Sequence, residues 1–264
     1  MTCHSIDSID VMVLEACSWA REAGAVQMQF FRSRHLDVKT KLNESDIVTK
    51  ADRASDALIR DRIHQSYPDH TILSEESGTE QGDSPWRWII DPLDGTTNYT
   101  EGLPFFAVSI GIEYNGEPVA GVVFAPYLNE LFHAIRGKGA FLNGEPITVR
   151  ENNRLDRAVV STGFPVDKDV NPDNNLDAVG RVLPHVRGLR RLGAASIDIC
   201  YTAAGFLDAY WEMNLHIWDI AAARVIAAEA GAEFVRYRPD RNYSILTSTP
   251  GIHDSLLKLI NDHD

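Results

Sequence analysis

Apolar residues along this chain recur with two different spacings, one typical of helices and one typical of strands. Residues 9–32 repeat apolar positions at three- and four-residue steps, which predicts an amphipathic helix, and residues 51–66 predict a second helix. Short apolar runs at residues 71–74 and 86–90 predict two strands. Each of these runs is followed at once by acidic residues.

The middle of the chain predicts an antiparallel sheet. Three runs rich in β-branched and aromatic residues lie between positions 105 and 137, and Gly, Pro and Asn separate them. This pattern is typical of strands joined by hairpins. After about residue 155, strands alternate with helices predicted at 173–186, 195–205, 218–232 and 252–261.

The change of pattern suggests two parts. We expect an N-terminal α+β part, residues 1–152, and a C-terminal α/β part, residues 153–264, packed as one compact unit. The Ala-rich helix predicted at 218–232 ends with Gly231, a frequent residue just beyond a helix C-terminus.

Composition narrows the function classes. The chain has 264 residues, 44% of them hydrophobic, which is enough for a large core. The formal net charge of −13 repels nucleic-acid phosphates, so we expect no direct contact with nucleic acid. The excess acid fits either plain solubility or a carboxylate cluster that a divalent cation neutralises, and composition does not separate the two.

Several features predict a cytoplasmic protein. No apolar run reaches the roughly 18 residues of a membrane span, and the N-terminal stretch lacks the basic region of a secretory signal. The three cysteines, Cys3, Cys17 and Cys200, form no CxxC pair, which suggests a reducing compartment.

The stretch "WIIDPLDGTTNY", residues 88–99, suggests chemistry. Asp91 and Asp94 follow a buried strand, and two ionised carboxylates held close together require either a proton or a cation between them. Gly95-Thr96-Thr97 predicts a turn into a short helix, whose free N–H groups suit an anion. Carboxylates that can bind a cation, next to N–H groups that can donate to an anion, are typical of a metal-assisted phosphoryl site. Oxygen-only ligands favour Mg²⁺ over zinc.

Other acidic residues are candidates for the same site. Glu75 and Glu76 end the predicted strand 71–74, Asp52 lies at a predicted helix start, and so does Asp219. Taken singly, Asp52 and Asp219 are more simply explained by capping or first-turn roles, so neither residue alone indicates a function. Lys41, which precedes the predicted helix of Asp52, is expected to be solvated.

Together these segments resemble a known family. "WIIDPLDGTTNY" followed by "LPFFAVSIG" resembles the first signature of the inositol monophosphatase family, and "WDIAAARVIAAEAGA" resembles the second. "DIVTKAD" and "ILSEES" are similar to its two further acidic segments, in the same order. The resemblance covers about residues 10–262. It implies a layered αβαβα sandwich of the inositol monophosphatase and fructose-1,6-bisphosphatase type, a homodimer, and lithium-sensitive, Mg²⁺-dependent hydrolysis of small phosphate monoesters.

The resemblance also implies metal ligands. A first ion would be held by Glu75, Asp91 and the backbone carbonyl of Leu93, and a second by Asp91, Asp94 and Asp219. Glu75 would also face a weaker third site and count among the catalytic residues. Asp94 and Asp219 would in addition border the substrate.

The same comparison implies water and substrate positions. Asp52 and Thr96 would orient the attacking water, and the backbone N–H groups of Gly95 and Thr96 would meet the phosphate. Ala195 and Glu212 would line the side of the site that receives a phosphorylated cyclitol or sugar.

The segment "DGTTNY" and the acid Glu212 are similar to the corresponding residues in the branch of the family that takes inositol monophosphate. The expected substrates are therefore myo-inositol 1-phosphate and related sugar phosphates. Alternatives within the family are 3′-phosphoadenosine 5′-phosphate, histidinol phosphate and fructose 1,6-bisphosphate. A hypothesis from a different class is a regulatory binding protein of the transcription machinery. A complete set of metal ligands favours the enzyme.

Overall fold

The computed structural model describes residues 8–33, 39–40 and 47–261; Cys3 and Lys41 lie outside these residues. In this part of the chain the helices are α1 (Ile9–Phe30), α2 (Lys50–Ser66), α3 (Thr96–Thr100), α4 (Leu176–Val182), α5 (Ala195–Ala203), α6 (Ile217–Glu229) and α7 (His253–Asn261). Short 3₁₀ turns lie at Leu155–Arg157, Leu183–His185 and Pro250–Ile252.

The strands form a two-residue ladder and two sheets. Strands β1 (Lys39–Thr40) and β2 (Ile47–Val48) pair with each other. The larger sheet contains β3 (Thr71–Ser74), β4 (Gly78–Glu80), β5 (Trp86–Asp94), β6 (Ala107–Tyr114), β7 (Glu117–Ala125), β8 (Glu130–Ile135), β9 (Ala140–Leu142) and β10 (Glu145–Ile147). The smaller sheet contains β11 (Val159–Thr162), β12 (Gly188–Arg190), β13 (Ala209–Leu215), β14 (Glu233–Arg238) and β15 (Tyr243–Ser248).

Strand order shows where the predicted hairpins are correct. The larger sheet runs β10-β9-β8-β7-β6-β5-β3-β4, and the successive pairs from β5 to β8 are antiparallel, as the alternating pattern predicts. β3 and β5 are parallel, because β4 follows β3 in the chain and pairs antiparallel with its other edge before the chain crosses to β5. The smaller sheet, β12-β11-β13-β15-β14, mixes parallel and antiparallel pairs.

The helix predicted at 173–186 is shorter than expected. It begins at Leu176 and ends at Val182, and Pro184 lies in the 3₁₀ turn that follows. Proline has no backbone N–H to continue the helical hydrogen bonds, which accounts for the early end. The strands β4, β9, β10 and β12 have only three residues each and were not predicted.

Hydrophobic clusters define five layers. One cluster packs α1 and α2 on one face of the larger sheet, and a second fills the space between this sheet, the α5–α6 pair and the smaller sheet. A third packs α4 and α7 on the outer face of the smaller sheet. The order is therefore α, β, α, β, α, which confirms the predicted fold class.

The α5–α6 layer contacts both sheets and carries two of the predicted site residues, Ala195 and Asp219. The division of the chain at residues 152 and 153 stays a prediction. Among the described residues, none of the helices combines the length and the apolar character that a membrane span requires.

Candidate active site

A bulge in β5 places the two aspartates of the central motif. The strand does not end before Asp91, as the sequence predicts, but continues to Asp94. Asp91 lies opposite Ser109 and Asp94 opposite Ala107, so β5 takes three steps where β6 takes two. Side chains three apart in a regular strand point to opposite faces, and the extra residue restores them to one side. Pro92 fits this position because the bulge needs no donor there.

Helix α1 holds this bulge in place. The side-chain amide of Gln27 donates to the carbonyl oxygen of Pro92 at 2.7 Å, and Gln27 is fully buried. The hydroxyl of Tyr99 donates to the carbonyl oxygen of Gln27 at 2.6 Å. The backbone N–H of Leu93 donates to Asp91 Oδ1 at 3.0 Å. The central motif is therefore fixed from outside by a residue that the sequence did not single out.

Four carboxylates from separate parts of the chain share one electrostatic field. Burial raises the pKa of Asp91 well above its usual range, and the negative charges of Glu75, Asp94 and Asp219 raise it further. Burial also raises the pKa of Asp219 well above its usual range, with repulsion from Glu75 and Asp94 added. The structure therefore places Glu75, Asp91, Asp94 and Asp219 close enough for their charges to act on one another, and their role as metal ligands stays a prediction.

Glu75 belongs to this group because β3 runs beside β5. Its backbone N–H donates to the carbonyl oxygen of Ile90 at 3.1 Å, which continues the pairing of the two strands. The backbone N–H of Glu76 donates to the Ser74 hydroxyl at 3.4 Å. Of the two neighbouring glutamates, Glu75 is the one whose charge acts on Asp91, Asp94 and Asp219.

Ser196 is a contact that the sequence did not predict. Its backbone N–H and its hydroxyl both donate to Asp94 Oδ2, at 2.8 and 2.5 Å. Burial raises the pKa of Asp94 to about 6, and the Ser196 hydrogen bonds oppose that rise. The bond joins the start of α5 to the end of β5. The sequence signal that could have identified Ser196 is its position next to Ala195, a predicted substrate-side residue.

Asn98 ties α3 to the segments that precede β6 and α5. Its side-chain amide donates to the carbonyl oxygens of Phe105 and Leu192, both at 2.7 Å, and it is buried. A buried amide needs such partners because leaving its hydrogen-bonding groups unpaired is costly. Asn98 therefore serves α3 as an anchor, a role that its place inside "DGTTNY" did not reveal.

Asp52 and Asp219 occupy equivalent positions in their helices. Asp52 Oδ2 accepts from the backbone N–H of Thr49 at 2.9 Å and from its hydroxyl. Asp219 Oδ2 accepts from the backbone N–H of His216 at 2.7 Å. The capping interpretation is therefore correct for one oxygen of each aspartate. It does not exclude a role in the site, because each carboxylate has a second oxygen.

For Asp52 the second oxygen reaches the central motif. Thr96 Oγ1 lies 3.1 Å from Asp52 Oδ1 and 3.1 Å from the carbonyl oxygen of Leu93. α3 begins directly after Gly95, as the sequence predicts. Gly95 has φ +85°, and a Cβ atom there would lie 2.8 Å from the carbonyl oxygen of Phe105, so only glycine suits this turn.

The position of Asp219 depends on how closely α6 approaches the larger sheet. A Cβ atom on Gly111 would lie 2.8 Å from Ala221 Cβ. Gly111 lies on β6 two residues from Ser109, the partner of Asp91. The glycine therefore lets α6 rest on β6 close enough to bring Asp219 to Asp91.

The two predicted substrate-side residues, Ala195 and Glu212, lie on α5 and β13. Ala195 begins α5 and is 7% exposed, and Glu212 lies on β13. Burial raises the pKa of Glu212 to about 7, with the Tyr210 hydroxyl and the charge of Arg191 opposing the rise. The negative charge of Asp94 also raises the pKa of Glu212.

The donor set can be compared with what a divalent cation needs. Within the described residues, no three Asp, Glu, His or Cys side chains form a ready-made group that could hold a metal ion. Asp94 and Asp219 each accept a hydrogen bond from a protein donor with one oxygen. None of Asp91, Asp94 and Asp219 forms an ion pair with a basic side chain of the described residues. A set of carboxylates that repel one another and offer only oxygen ligands fits Mg²⁺ in its chemistry.

Comparison with known proteins agrees with these features. The model of the inositol monophosphatase family matches residues 9–263. The Nus factor SuhB of Pasteurella multocida is 40% identical over 247 residues, which cover 91% of this chain and 92% of that protein.

Two solved structures are also similar. The extragenic suppressor protein suhB of Bartonella henselae superposes with a TM-score of 0.90 at 35% identity, covering 96% of this chain and 100% of that one. An inositol monophosphatase from Anabaena superposes with a TM-score of 0.84 at 34% identity, covering 96% of both chains. On this evidence the chain belongs to the inositol monophosphatase family.

Proposed function

We propose that this protein is a Mg²⁺-dependent phosphatase that hydrolyses myo-inositol 1-phosphate and related small sugar phosphate monoesters. The observation that carries the proposal is the meeting of four carboxylates with the Asp52–Thr96 pair. Acids from three different elements repel one another beside a hydroxyl that is hydrogen-bonded to a fifth acid. Such an arrangement costs stability and suits a site for a cation and a reacting water.

In this proposal the acids divide between two metal positions. Glu75, Asp91 and the carbonyl oxygen of Leu93 would hold one Mg²⁺, and Asp91, Asp94 and Asp219 a second. When bound, Mg²⁺ supplies a lowered pKa for a coordinated water and stabilises the leaving oxygen. The protein's part is to keep the carboxylates at fixed positions, through the β5 bulge, the Ser196 bonds and the cap on α6.

Thr96 and Asp52 would orient the attacking water. The Thr96 hydroxyl has one proton, and if it donates to Asp52 Oδ1 its lone pairs are free to accept from a water. Burial chiefly raises the pKa of Asp52, and its Thr49 hydrogen bonds oppose the rise. Asp52 can therefore receive a proton that passes through Thr96 more readily than an exposed aspartate can.

The phosphate and the alcohol would lie on opposite sides of Asp94. The backbone N–H groups of Gly95 and Thr96 would face the phosphate, at a turn whose close approach only glycine allows. Ala195 would line this side with an apolar methyl group, and Glu212 would accept a hydrogen bond from a ring hydroxyl of the cyclitol or sugar. Family membership and the name of the Anabaena relative support inositol phosphate as the substrate.

Phosphate release from a panel of monoesters, with Mg²⁺ and with excess chelator, tests this function. We expect turnover only with Mg²⁺, with a higher kcat/KM for myo-inositol 1-phosphate than for 3′-phosphoadenosine 5′-phosphate, histidinol phosphate or fructose 1,6-bisphosphate. Full turnover in chelator contradicts the metal mechanism. A clear preference for one of the other three compounds assigns the protein to that substrate instead.

A second candidate function is supported by the names of relatives. The Pasteurella multocida protein is called a Nus factor, which agrees with a regulatory protein that binds the transcription machinery. Immobilised protein should then retain purified transcription elongation factors, and an active-site variant such as Asp91→Asn should retain them equally. Failure to retain any of them removes this candidate and leaves the phosphatase proposal intact.

We also propose a homodimer, as the resemblance implies. Sedimentation equilibrium of the full chain gives the mass directly. A mass near twice the 29.4 kDa of one chain supports the dimer, and a monomer mass at micromolar concentration contradicts it.

A further inference from the structure

Tyr210 fixes one oxygen of Glu212. The two residues lie two positions apart on β13, so their side chains point to the same face of the smaller sheet. Tyr210 is fully buried, and its hydroxyl donates to Glu212 Oε2. The end of a glutamate side chain rotates easily about its last torsion, and a hydrogen bond to one oxygen sets the plane of the carboxylate. The other oxygen, Oε1, remains to accept from a substrate.

Gly163 makes the space that this carboxylate occupies. Strand β11 is parallel to β13, with Thr162 opposite Trp211, so the next residue, Gly163, lies beside Glu212. A Cβ atom on Gly163 would overlap the carboxyl group of Glu212. Any side chain at position 163 would therefore push the carboxylate away from its place.

The frame around this contact is rigid. The Thr162 hydroxyl donates to the carbonyl oxygen of Trp211 at 2.7 Å, and the side-chain amide of Asn175 donates to Thr162 Oγ1 at 2.8 Å. The indole N–H of Trp211 donates to Asn175 Oδ1 at 2.8 Å, which closes the loop of bonds. All three residues are buried, so β11 and β13 cannot slide past each other without leaving polar groups unpaired.

We propose that Tyr210 and Gly163 are positioning residues that aim Glu212 at a ring hydroxyl of the substrate, and thereby select polyol phosphates over simple monoesters. The inference rests on the proposed function, because it concerns the alcohol side of the same site. Neither residue touches the substrate. Each acts through Glu212, one by hydrogen bonding and the other by leaving room.

The test compares two substrates that share the phosphate and differ in the alcohol. myo-Inositol 1-phosphate offers ring hydroxyls, and p-nitrophenyl phosphate offers none. In Tyr210→Phe and in Gly163→Ala, kcat/KM for inositol 1-phosphate should fall about 5- to 30-fold more than for p-nitrophenyl phosphate, mainly through KM. Tyr201→Phe is the matched control, because its hydroxyl donates to Glu130 at 2.8 Å. This control should leave the ratio of the two substrates unchanged.

A double-mutant cycle separates positioning from a general structural effect. In a Glu212→Gln background, Tyr210→Phe should lower the substrate ratio no further, because its route of action is already removed. Equal losses on both substrates, or a further loss in the Glu212→Gln background, overturn the positioning role. If Tyr210→Phe does not fold, Gly163→Ala reaches Glu212 from the other strand and decides the question.

Failure of the inference and failure of the proposed function give different results. A wild type that prefers inositol 1-phosphate, with variants that lose both substrates alike, overturns only the positioning role. A wild type without this preference overturns the proposed substrate, and the positioning role with it.

Discussion

A Cβ atom on Gly121 would lie 2.7 Å from the Cα atom of Ala222, so helix α6 rests on strand β7 at a separation that only glycine permits. Gly111 on the neighbouring strand β6 receives the same helix at Ala221. Two glycines side by side in a sheet thus form the seat of the helix that carries Asp219. The distance between Asp219 and Asp91 is set by this seat and not by any local interaction between them.

Gly121→Ala should lower both stability and activity. The added methyl group has to displace helix backbone, and overpacking of this kind costs about 1–3 kcal/mol of unfolding free energy. The displaced helix should also move Asp219 and lower kcat/KM. Gly180→Ala is the control, because a Cβ atom there meets nothing within 4 Å and the residue lies in α4. This variant should match or exceed the wild type, by up to about 1 kcal/mol. Chemical unfolding measures the stability and phosphate release measures the activity. Wild-type values of both for Gly121→Ala would contradict the close packing of α6 on Gly121.

Asp91→Asn and Asp219→Asn should respond differently to Mg²⁺. In chelator the carboxylates repel one another, so either variant should melt at or above the wild-type temperature. Mg²⁺ should raise the wild-type melting temperature by binding the folded state, and should raise that of each variant less. Asp91→Asn should be inactive at every Mg²⁺ concentration. Asp219→Asn should be severely impaired but keep one metal position.

The control for this titration is Asp254→Asn, an exposed aspartate in the first turn of α7. It repeats the loss of a first-turn charge away from the cluster, and should gain as much from Mg²⁺ as the wild type. Thermal unfolding of the four proteins across the titration provides the comparison. An Asp219→Asn curve that follows the wild type throughout would show that Asp219 only caps its helix.

Thr96→Ala should lower kcat much more than it raises KM. The hydroxyl is proposed to act on the water, whereas the backbone N–H groups that face the phosphate are retained. Loss of such a group costs about 10²–10⁴-fold in rate. Thr97→Ala is a close control, since Thr97 is the next residue of α3 and is exposed. Steady-state kinetics with myo-inositol 1-phosphate distinguish the outcomes, and a steep rise of KM at unchanged kcat would make Thr96 a binding residue.

Glu212 should make stability fall as pH rises. Its pKa is raised from 4.5 to about 7 in the folded protein, chiefly by burial, so the folded state binds more protons than the unfolded state between these values. Stability from this group is complete below about pH 4.5 and is lost as pH rises through 7. Relative to Glu212→Gln, the wild type should lose on the order of 1–3 kcal/mol of unfolding free energy over this range.

Chemical unfolding in chelator at pH 5 and pH 7.5 measures this difference. The glutamine keeps an oxygen that can accept from the Tyr210 hydroxyl, so the comparison isolates the titrating proton. Parallel pH dependence in the two proteins would mean that Glu212 stays ionised in the folded state.

The sequence predicted the helices and most of the strands because their signals are local. Helices α1, α2 and α6 and strands β6 to β8 follow from apolar periodicity and from turn residues within each segment. The acidic segments around Asp52, Glu75, Asp91 and Asp219 could be identified as candidates by their place beside such elements.

Other features depend on residues that are far apart in the chain. Gln27 holds Pro92, Ser196 binds Asp94, and Tyr210 with Gly163 confines Glu212. No spacing in the sequence predicts these contacts. The glycines of β6 and β7 lie inside two apolar runs, where a glycine indicates that another backbone approaches closely. The sequence does not show which helix makes that approach.

By itself, then, the sequence determined which segments become helices and strands and which acids are available, because periodicity and turn chemistry act over a few residues. The tertiary structure alone decided that Asp91 and Asp94 share a face, through one extra residue in β5, and that Asp219 joins them, through a helix seated on glycines. The physical reason is that carboxylates interact strongly only over short distances. Asp91 and Asp219 are 128 positions apart in the chain, and only the packing of the layers brings them to one site.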